Sequence, residues 1–247
     1  MTYRGLCIVT GGSRGIGAAI SRLAAQSWPV VIIYRSDAAA AEAVADSIRA
    51  EGGEAHIVQA DIGNESDIVR AFKLIDEIGR PEVLVNNAAV TGGVSRVQDV
   101  RAEVLDEVFR TNITGAFLAS REAIRRMSKS QGGKGGSIVD ISSGASVLGS
   151  PNSWIHYAAS KGAIDTFTVG LSKEVAREGI RVNAVRPGVV DTDIHHSRSA
   201  AELQAMVGAI PLGRMGTTEE IAHAAVWLAS AAASYVTGAL LDARGGF

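Results

Sequence analysis

A chain of 247 residues, 47% of them hydrophobic, has room for one sizeable α/β core. Its formal net charge of -2 supplies no basic field for nucleic acid or an anionic membrane. The single cysteine, Cys7, excludes an intrachain disulfide, argues against structural zinc and, set in an apolar run, reads as a packing residue. No apolar run resembles a signal peptide or a membrane span, so the expectation is a cytoplasmic enzyme with neither nucleic-acid nor membrane partners.

Short β-branched runs alternate with longer helical patterns along the chain. Strands are predicted at residues 6–10, 30–34, 55–59, 83–86, 137–141, 181–185 and 239–242. Helices are predicted at 15–27, 38–51, 65–78, 102–127, 155–178 and 218–230. The strands are continuous apolar runs rather than alternating ones, as parallel strands covered on both faces require. Repeated β-α-β units with right-handed crossovers then give a single α/β domain over residues 1–247, a doubly wound Rossmann-type fold with a parallel seven-stranded sheet flanked by helices. Residues 188–216 interrupt this order with polar and small residues and a weak helical patch at 201–207. Their place after a strand's carboxyl end predicts a substrate lid.

The first strand runs into Thr10-Gly11-Gly12-Ser13-Arg14-Gly15-Ile16-Gly17. Gly11, Gly15 and Gly17 allow a sharp turn and a close approach of backbone to a pyrophosphate at the next helix's N-terminus. Ser13, Arg14 and Ile16 share that cofactor-binding turn. The second strand ends in Tyr34-Arg35-Ser36, without a carboxylate at its tip to bind the adenosine ribose hydroxyls. Arg14, Arg35 and Ser36 could instead face a 2′-phosphate, which favours NADP(H) over NAD(H). Asp37, just before an alanine run, reads as a helix N-cap.

Tyr157 and Lys161 lie four residues apart, on one face of a predicted helix. An ammonium near a phenol stabilises the phenolate and brings proton exchange toward neutral pH. Upstream, a strand ends in Ser142 and Ser143, either of which could polarise a substrate oxygen. Asn86-Asn87-Ala88-Ala89 ends another strand at the same edge. Asn112 falls inside the long helical stretch, where propensity disfavours it, and on local grounds reads as a solvated or locally bonded polar residue. His156 belongs to another helix face than Tyr157. His195 and His196 are unaccompanied by ligand spacing, so no metal is expected.

Together these residues resemble the short-chain dehydrogenase/reductase family across nearly the whole chain, in particular bacterial glucose-dehydrogenase-like and 3-oxoacyl-reductase-like members. The match runs through Thr10-Gly11, Gly15 and Gly17, Asp61-Ile62, Asn86-Asn87-Ala88, Asn112, Ser143, Tyr157 with Lys161, and Pro187-Gly188. The resemblance implies an oxidoreductase that moves a hydride between nicotinamide and a carbonyl or secondary alcohol. Tyr157 would be its general acid or base, Ser143 would orient the substrate oxygen, and Lys161 would lower the phenol pKa and hold the nicotinamide ribose. Asn112 would hold a water linking Lys161 to a proton relay. Asp61 and Ile62 would contact adenine, and Asn86 and Ala88 would line the cofactor channel. Pro187, Gly188 and Val190 would border the nicotinamide, and Thr192 would bond its amide or the phosphate. A homotetramer is implied as well. Ala89 stands where the family commonly has Gly, and the Ser143-to-Tyr157 interval is one residue longer than in many members, which leaves Ser142 as the substitute.

Trp154, Ile155, Met206 and Leu212 could line the substrate pocket or pack in the core. A non-catalytic nucleotide-binding sensor on the same fold is the competing function, and an epimerase or dehydratase would need a longer chain.

Overall fold

The computed structural model describes residues 5–192 and 200–247. Strands β1 (Leu6–Thr10), β2 (Val30–Tyr34), β3 (Ala55–Gln59), β4 (Pro81–Asn86), β5 (Gly136–Ile141), β6 (Ile180–Pro187) and β7 (Leu240–Ala243) form the sheet. They join in the order β3-β2-β1-β4-β5-β6-β7, all parallel. The predicted architecture is therefore the observed one, with strand ends displaced by at most two residues.

The helices are α1 (Gly15–Ala24), α2 (Ala38–Ala50), α3 (Glu65–Ile78), α4 (Ala102–Phe109), α5 (Gly115–Met127), α6 (Ala145–Leu148), α7 (Ile155–Val175), α8 (Ala200–Gly208) and α9 (Thr218–Ala229). Successive strand residues supply opposite faces. Cys7, Val9, Val30 and Ile32 pack with Ala18 and Ile20 of α1, Val44 and Ile48 of α2, and Ile221 and Leu228 of α9. Leu6, Ile8, Val31 and Ile33 pack with Phe72 and Ile75 of α3, Ala123 and Met127 of α5, and Leu171 and Val175 of α7. Cys7 is 1% exposed, and burial pushes its thiol up to about 12, so it is a packing residue as expected.

The predicted helix over 102–127 is broken. A π-turn, Arg110–Thr114, separates α4 from α5 and contains Asn112. A π-turn widens the helix by one residue, and here it carries the buried Asn112 amide away from the helix path toward Val90. Asp37 caps α2 as expected, its Oδ1 accepting from the Ala40 amide at 2.9 Å. The excursion after β6 is pinned at its base, where Gly216 N donates to Val189 O and Asp191 N to Gly216 O at 2.9 and 3.0 Å. His195 and His196 lie outside the described residues. No helix among the described residues is long and apolar enough to cross a membrane.

Phe72 is fully buried between α3 and the sheet, with the Arg126 guanidinium 5.1 Å from its ring centroid. Phe72→Ala is expected to cost about 3–5 kcal/mol of unfolding free energy in a denaturant titration.

Candidate functional site

The carboxyl ends of β1, β2, β4, β5 and β6 open on one cleft of about 930 Å³. Gly11, Ser13, Arg14, Gly15, Ile16, Arg35, Ser36, Asp61, Ile62 and Ala88 line one arm. Ser143, Tyr157, Lys161, Pro187, Gly188, Val190 and Thr192 line the other. The cleft thus gathers residues that the sequence scatters over nearly two hundred positions, because parallel strands place all their carboxyl ends at one edge.

The glycine turn has a steric cause at each position. Gly11 and Gly15 have φ of 62° and 50°, where other residues are strained. Gly17 does not line the cleft; a Cβ there would stand 2.2 Å from the Gly11 carbonyl oxygen, so it permits the helix to pack against the turn. The N-cap Arg14 makes no side-chain cap bond, and α1 has no acidic residue in its first turn. Its first amides therefore face the cleft without a competing carboxylate, the arrangement that suits a pyrophosphate. The residues present fit a dinucleotide.

Asn87, not Asn86, borders this arm. Its Nδ2 donates to Thr10 O and Gly11 O, both at 3.0 Å, which fixes the turn. Asn86, expected in the channel, points into the protein instead. Its Nδ2 donates to Ser120 Oγ at 2.9 Å and Asp140 Oδ1 at 2.8 Å. Strand alternation turned the first asparagine inward and left the second at the edge. At the far end, Arg14 is paired with Asp37, and Arg35 lies 3.6 Å from Glu107. Both arginines remain more than half exposed, so they can turn toward a phosphate.

In the other arm, Lys161 is 4% exposed, and its Nζ donates to Ile141 O at 2.7 Å. Desolvation pushes its pKa down to about 8, against the upward pull of Asp140 and Asp165. Tyr157 stands one turn earlier, its ring centroid 5.6 Å from Lys161 Nζ. Burial raises the phenol above its ordinary value, and the Ser143 hydroxyl draws it back. The lowering influence on the phenol thus comes from the Ser143 hydrogen bond.

Ser142, the substitute considered for Ser143, is engaged elsewhere. Its Oγ donates to Asp165 Oδ1 at 2.6 Å, and Asp165 Oδ2 accepts two bonds from Arg186 at 2.8 and 3.0 Å. Asn112 does not reach the cleft with its side chain. Oδ1 accepts from Val90 N at 2.8 Å, and Nδ2 donates to Val90 O at 2.9 Å and Ser160 Oγ at 3.0 Å. His156 Nε2 meets Thr91 O at 2.8 Å, away from the phenol. Asn112 and His156 together hold the strand-β4 loop against α7.

Trp154 and Met206 line the cleft, whereas Ile155 and Leu212 do not. Residues without a sequence signal also line it, among them Thr91, Ser150, Ser153 and Phe247. Ser150, with φ of 46°, has a backbone conformation that no composition rule would have assigned to it.

Residues 11–247 match the family described as Enoyl-(Acyl carrier protein) reductase. The chain is 48% identical over 244 residues to the uncharacterized oxidoreductase YgfF of Escherichia coli strain K12, covering 98% of this chain and 99% of that one. It is 36% identical over 242 residues to the 3-oxoacyl-[acyl-carrier-protein] reductase FabG of Pseudomonas aeruginosa, covering 98% and 96%. Among solved structures, a short-chain dehydrogenase/reductase from Serratia marcescens superposes with a TM-score of 0.91 at 33% identity, covering 98% and 97%. A blue fluorescent protein from a metagenomic library, in complex with NADPH, does so with a TM-score of 0.90 at 32% identity, covering 98% and 97%.

The Gly17 approach yields a direct test. Gly17→Ala is expected to weaken binding of a nicotinamide dinucleotide about tenfold in a fluorescence titration, because the turn must open. Gly170→Ala in α7, with nothing within 4 Å of the added Cβ, should leave binding unchanged.

Proposed function

We propose, from the premise that this chain belongs to the short-chain dehydrogenase/reductase family of oxidoreductases, that it transfers a hydride between NADP(H) and a carbonyl or secondary alcohol, with Tyr157 as general acid and base. The observation that carries this reading is the juxtaposition of Tyr157, Ser143 and buried Lys161 in the wall of the same cleft as the glycine turn.

The glycine turn, Asp61, Ile62 and Ala88 would hold the dinucleotide, with Pro187, Gly188, Val190 and Thr192 beside its nicotinamide end. When bound, the nicotinamide supplies or accepts the hydride at the substrate carbon. The protein's part is to place and charge the substrate oxygen. Ser143 donates a hydrogen bond to a carbonyl oxygen, and Tyr157 gives it a proton as negative charge develops there. The Lys161 ammonium supports the phenolate that remains. In the oxidising direction the phenolate takes the proton of the alcohol. Asn112 would hold the water of the relay and fixes Val90 and Ser160 beside it. Residues 188–216 would close over the substrate, with Met206 of α8 forming an apolar wall.

The preference for NADP(H) rests on Arg14, Arg35 and Ser36 at the adenosine end, and it is supported by the NADPH-bound neighbour. The reading extends to a cytoplasmic homotetramer. Support for assembly comes from the half-exposed Phe117 of α5, its ring centroid 4.0 Å from that of Phe167 of α7, and from exposed Phe109 of α4 and Ile155 at the start of α7.

Two measurements test the proposal. Against a panel of ketones and 3-oxo thioesters with NADPH, Tyr157→Phe is expected to lower kcat by about 10²–10⁴-fold with NADPH affinity retained. Near-normal turnover would reject Tyr157, and no turnover by the native protein would favour a nucleotide sensor. Replacing both Arg14 and Arg35 by Ala should weaken 2′,5′-ADP binding about tenfold or more in calorimetry while sparing 5′-ADP.

A further inference from the structure

The floor beneath Lys161 contains a carboxylate that the reaction as described leaves without a role. Asp140 is 0% exposed, on β5 one residue before the Ile141 carbonyl that Lys161 holds. Its Oδ1 accepts from Asn86 Nδ2 at 2.8 Å and its Oδ2 from Thr168 Oγ1 at 2.7 Å. Both donors are neutral, and among the described residues no cation lies within 4.0 Å of Asp140. Lys161 is its complement, a buried ammonium whose partner is a neutral carbonyl and which has no carboxylate within 4.0 Å among the described residues. The titratable groups that bear on Lys161 are Asp140 from β5 and Tyr157 and Asp165 from α7, with Arg186 of β6 bound to Asp165. Asp165 already has a direct ion-pair partner, since Arg186 binds it through two nitrogens, although it still acts on Lys161 from a distance. Among the described residues, the ammonium and Asp140 are the two charges of this dry region without a direct ion-pair partner.

We propose that Asp140 is a positioning residue for the reaction, a buried counter-charge that keeps Lys161 protonated without touching it. The inference rests on the acid–base role given above to Tyr157 and Lys161. A direct ion pair would draw Nζ down from the Ile141 carbonyl toward the core. A carboxylate held back by Asn86 and Thr168 compensates the charge through the low-dielectric interior and leaves Nζ in the cleft wall. Desolvation raises Asp140 itself to about 6, with Lys161 pulling the other way, so at neutral pH and above the counter-charge is present. Below that value Asp140 becomes neutral, but there Lys161 is protonated in any case. The pair therefore matters on the alkaline side, where Lys161 would lose its proton.

Asp140→Asn separates charge from shape. Thr168 Oγ1 also lies 2.9 Å from Ile164 O, so its hydroxyl can turn to that carbonyl and accept from the new amide. The oxygen facing Asn86 is retained. The chain has five lysines, so Cε-labelled lysine gives five carbon resonances to follow with pH. In the native protein the Lys161 resonance should titrate below the ordinary lysine value. In D140N it should move down by a further pH unit or so, about one unit for one buried charge. An unmoved Lys161 titration in folded D140N would overturn the proposal. Coupling is mutual, so a second readout does not depend on D140N folding. In K161M the Asp140 carboxyl carbon should titrate higher than in the native protein, and an unchanged value would equally reject the pairing. Activity separates the two layers: a K161M protein with full turnover sinks the acid–base assignment, whereas an inactive K161M with an unmoved Asp140 sinks only the counter-charge.

Discussion

Removing an ammonium from water is expensive, and this chain accepts that cost at Lys161. A lysine at 4% exposure needs an acceptor, and the one it uses is the last carbonyl of β5. That bond ties α7 to the carboxyl end of the strand, in the same segment that carries Ser142 and Ser143. Ser142 then closes a second tie through Asp165 and Arg186, so β5, α7 and β6 are locked together beside Ser143. Ser143 and Tyr157 inherit their placement from these ties.

The opposite arm of the cleft is built on another principle. There the geometry depends on what is missing. Gly17 stands against the Gly11 carbonyl only because it carries no side chain, Gly11 makes room for Ala88 in the same way, and the Asn87 amide holds the turn through Thr10 O and Gly11 O. One arm is rigid because it buries charge and satisfies it. The other is rigid because it removes side chains and fills the space with backbone. A ligand lying across both meets two surfaces that are already set before it arrives, which lowers the ordering cost of binding.

Much of this was legible in the sequence because it leaves local traces. Strands buried on both faces read as unbroken apolar runs, and a turn at positive φ reads as glycine. The tyrosine and lysine stand one helical turn apart. What could not be read depends on which way a side chain points once the strand is placed. Asn86 and Asn87 are chemically identical neighbours, and only the alternation of β4 sends one to Asp140 and the other to the glycine turn. The same applies to Ser142 and Ser143. The π-turn at Arg110–Thr114 has no periodic signature strong enough to interrupt the pattern of residues 102–127, yet it lets Asn112 grip both main-chain groups of Val90. The Asp140 counter-charge was invisible because an aspartate inside an apolar strand gives no hint of what faces it.

The packing of α9 beside α1 has a consequence during synthesis. The apolar stripe formed by Ala18, Ile20 and Ala24 is covered in part by Ile221, Ala225 and Leu228, which are translated some two hundred codons later. Until those residues leave the ribosome, the nascent nucleotide-binding half carries an open greasy flank and cannot reach its final stability. Arg181 tightens this dependence, since its guanidinium clasps the carbonyls of Leu228, Ala229 and Ser230 and so fastens the late helix to the sixth strand. A release mutant or a proteolytic nick within 218–229 would therefore unmake the earliest part of the chain along with the latest.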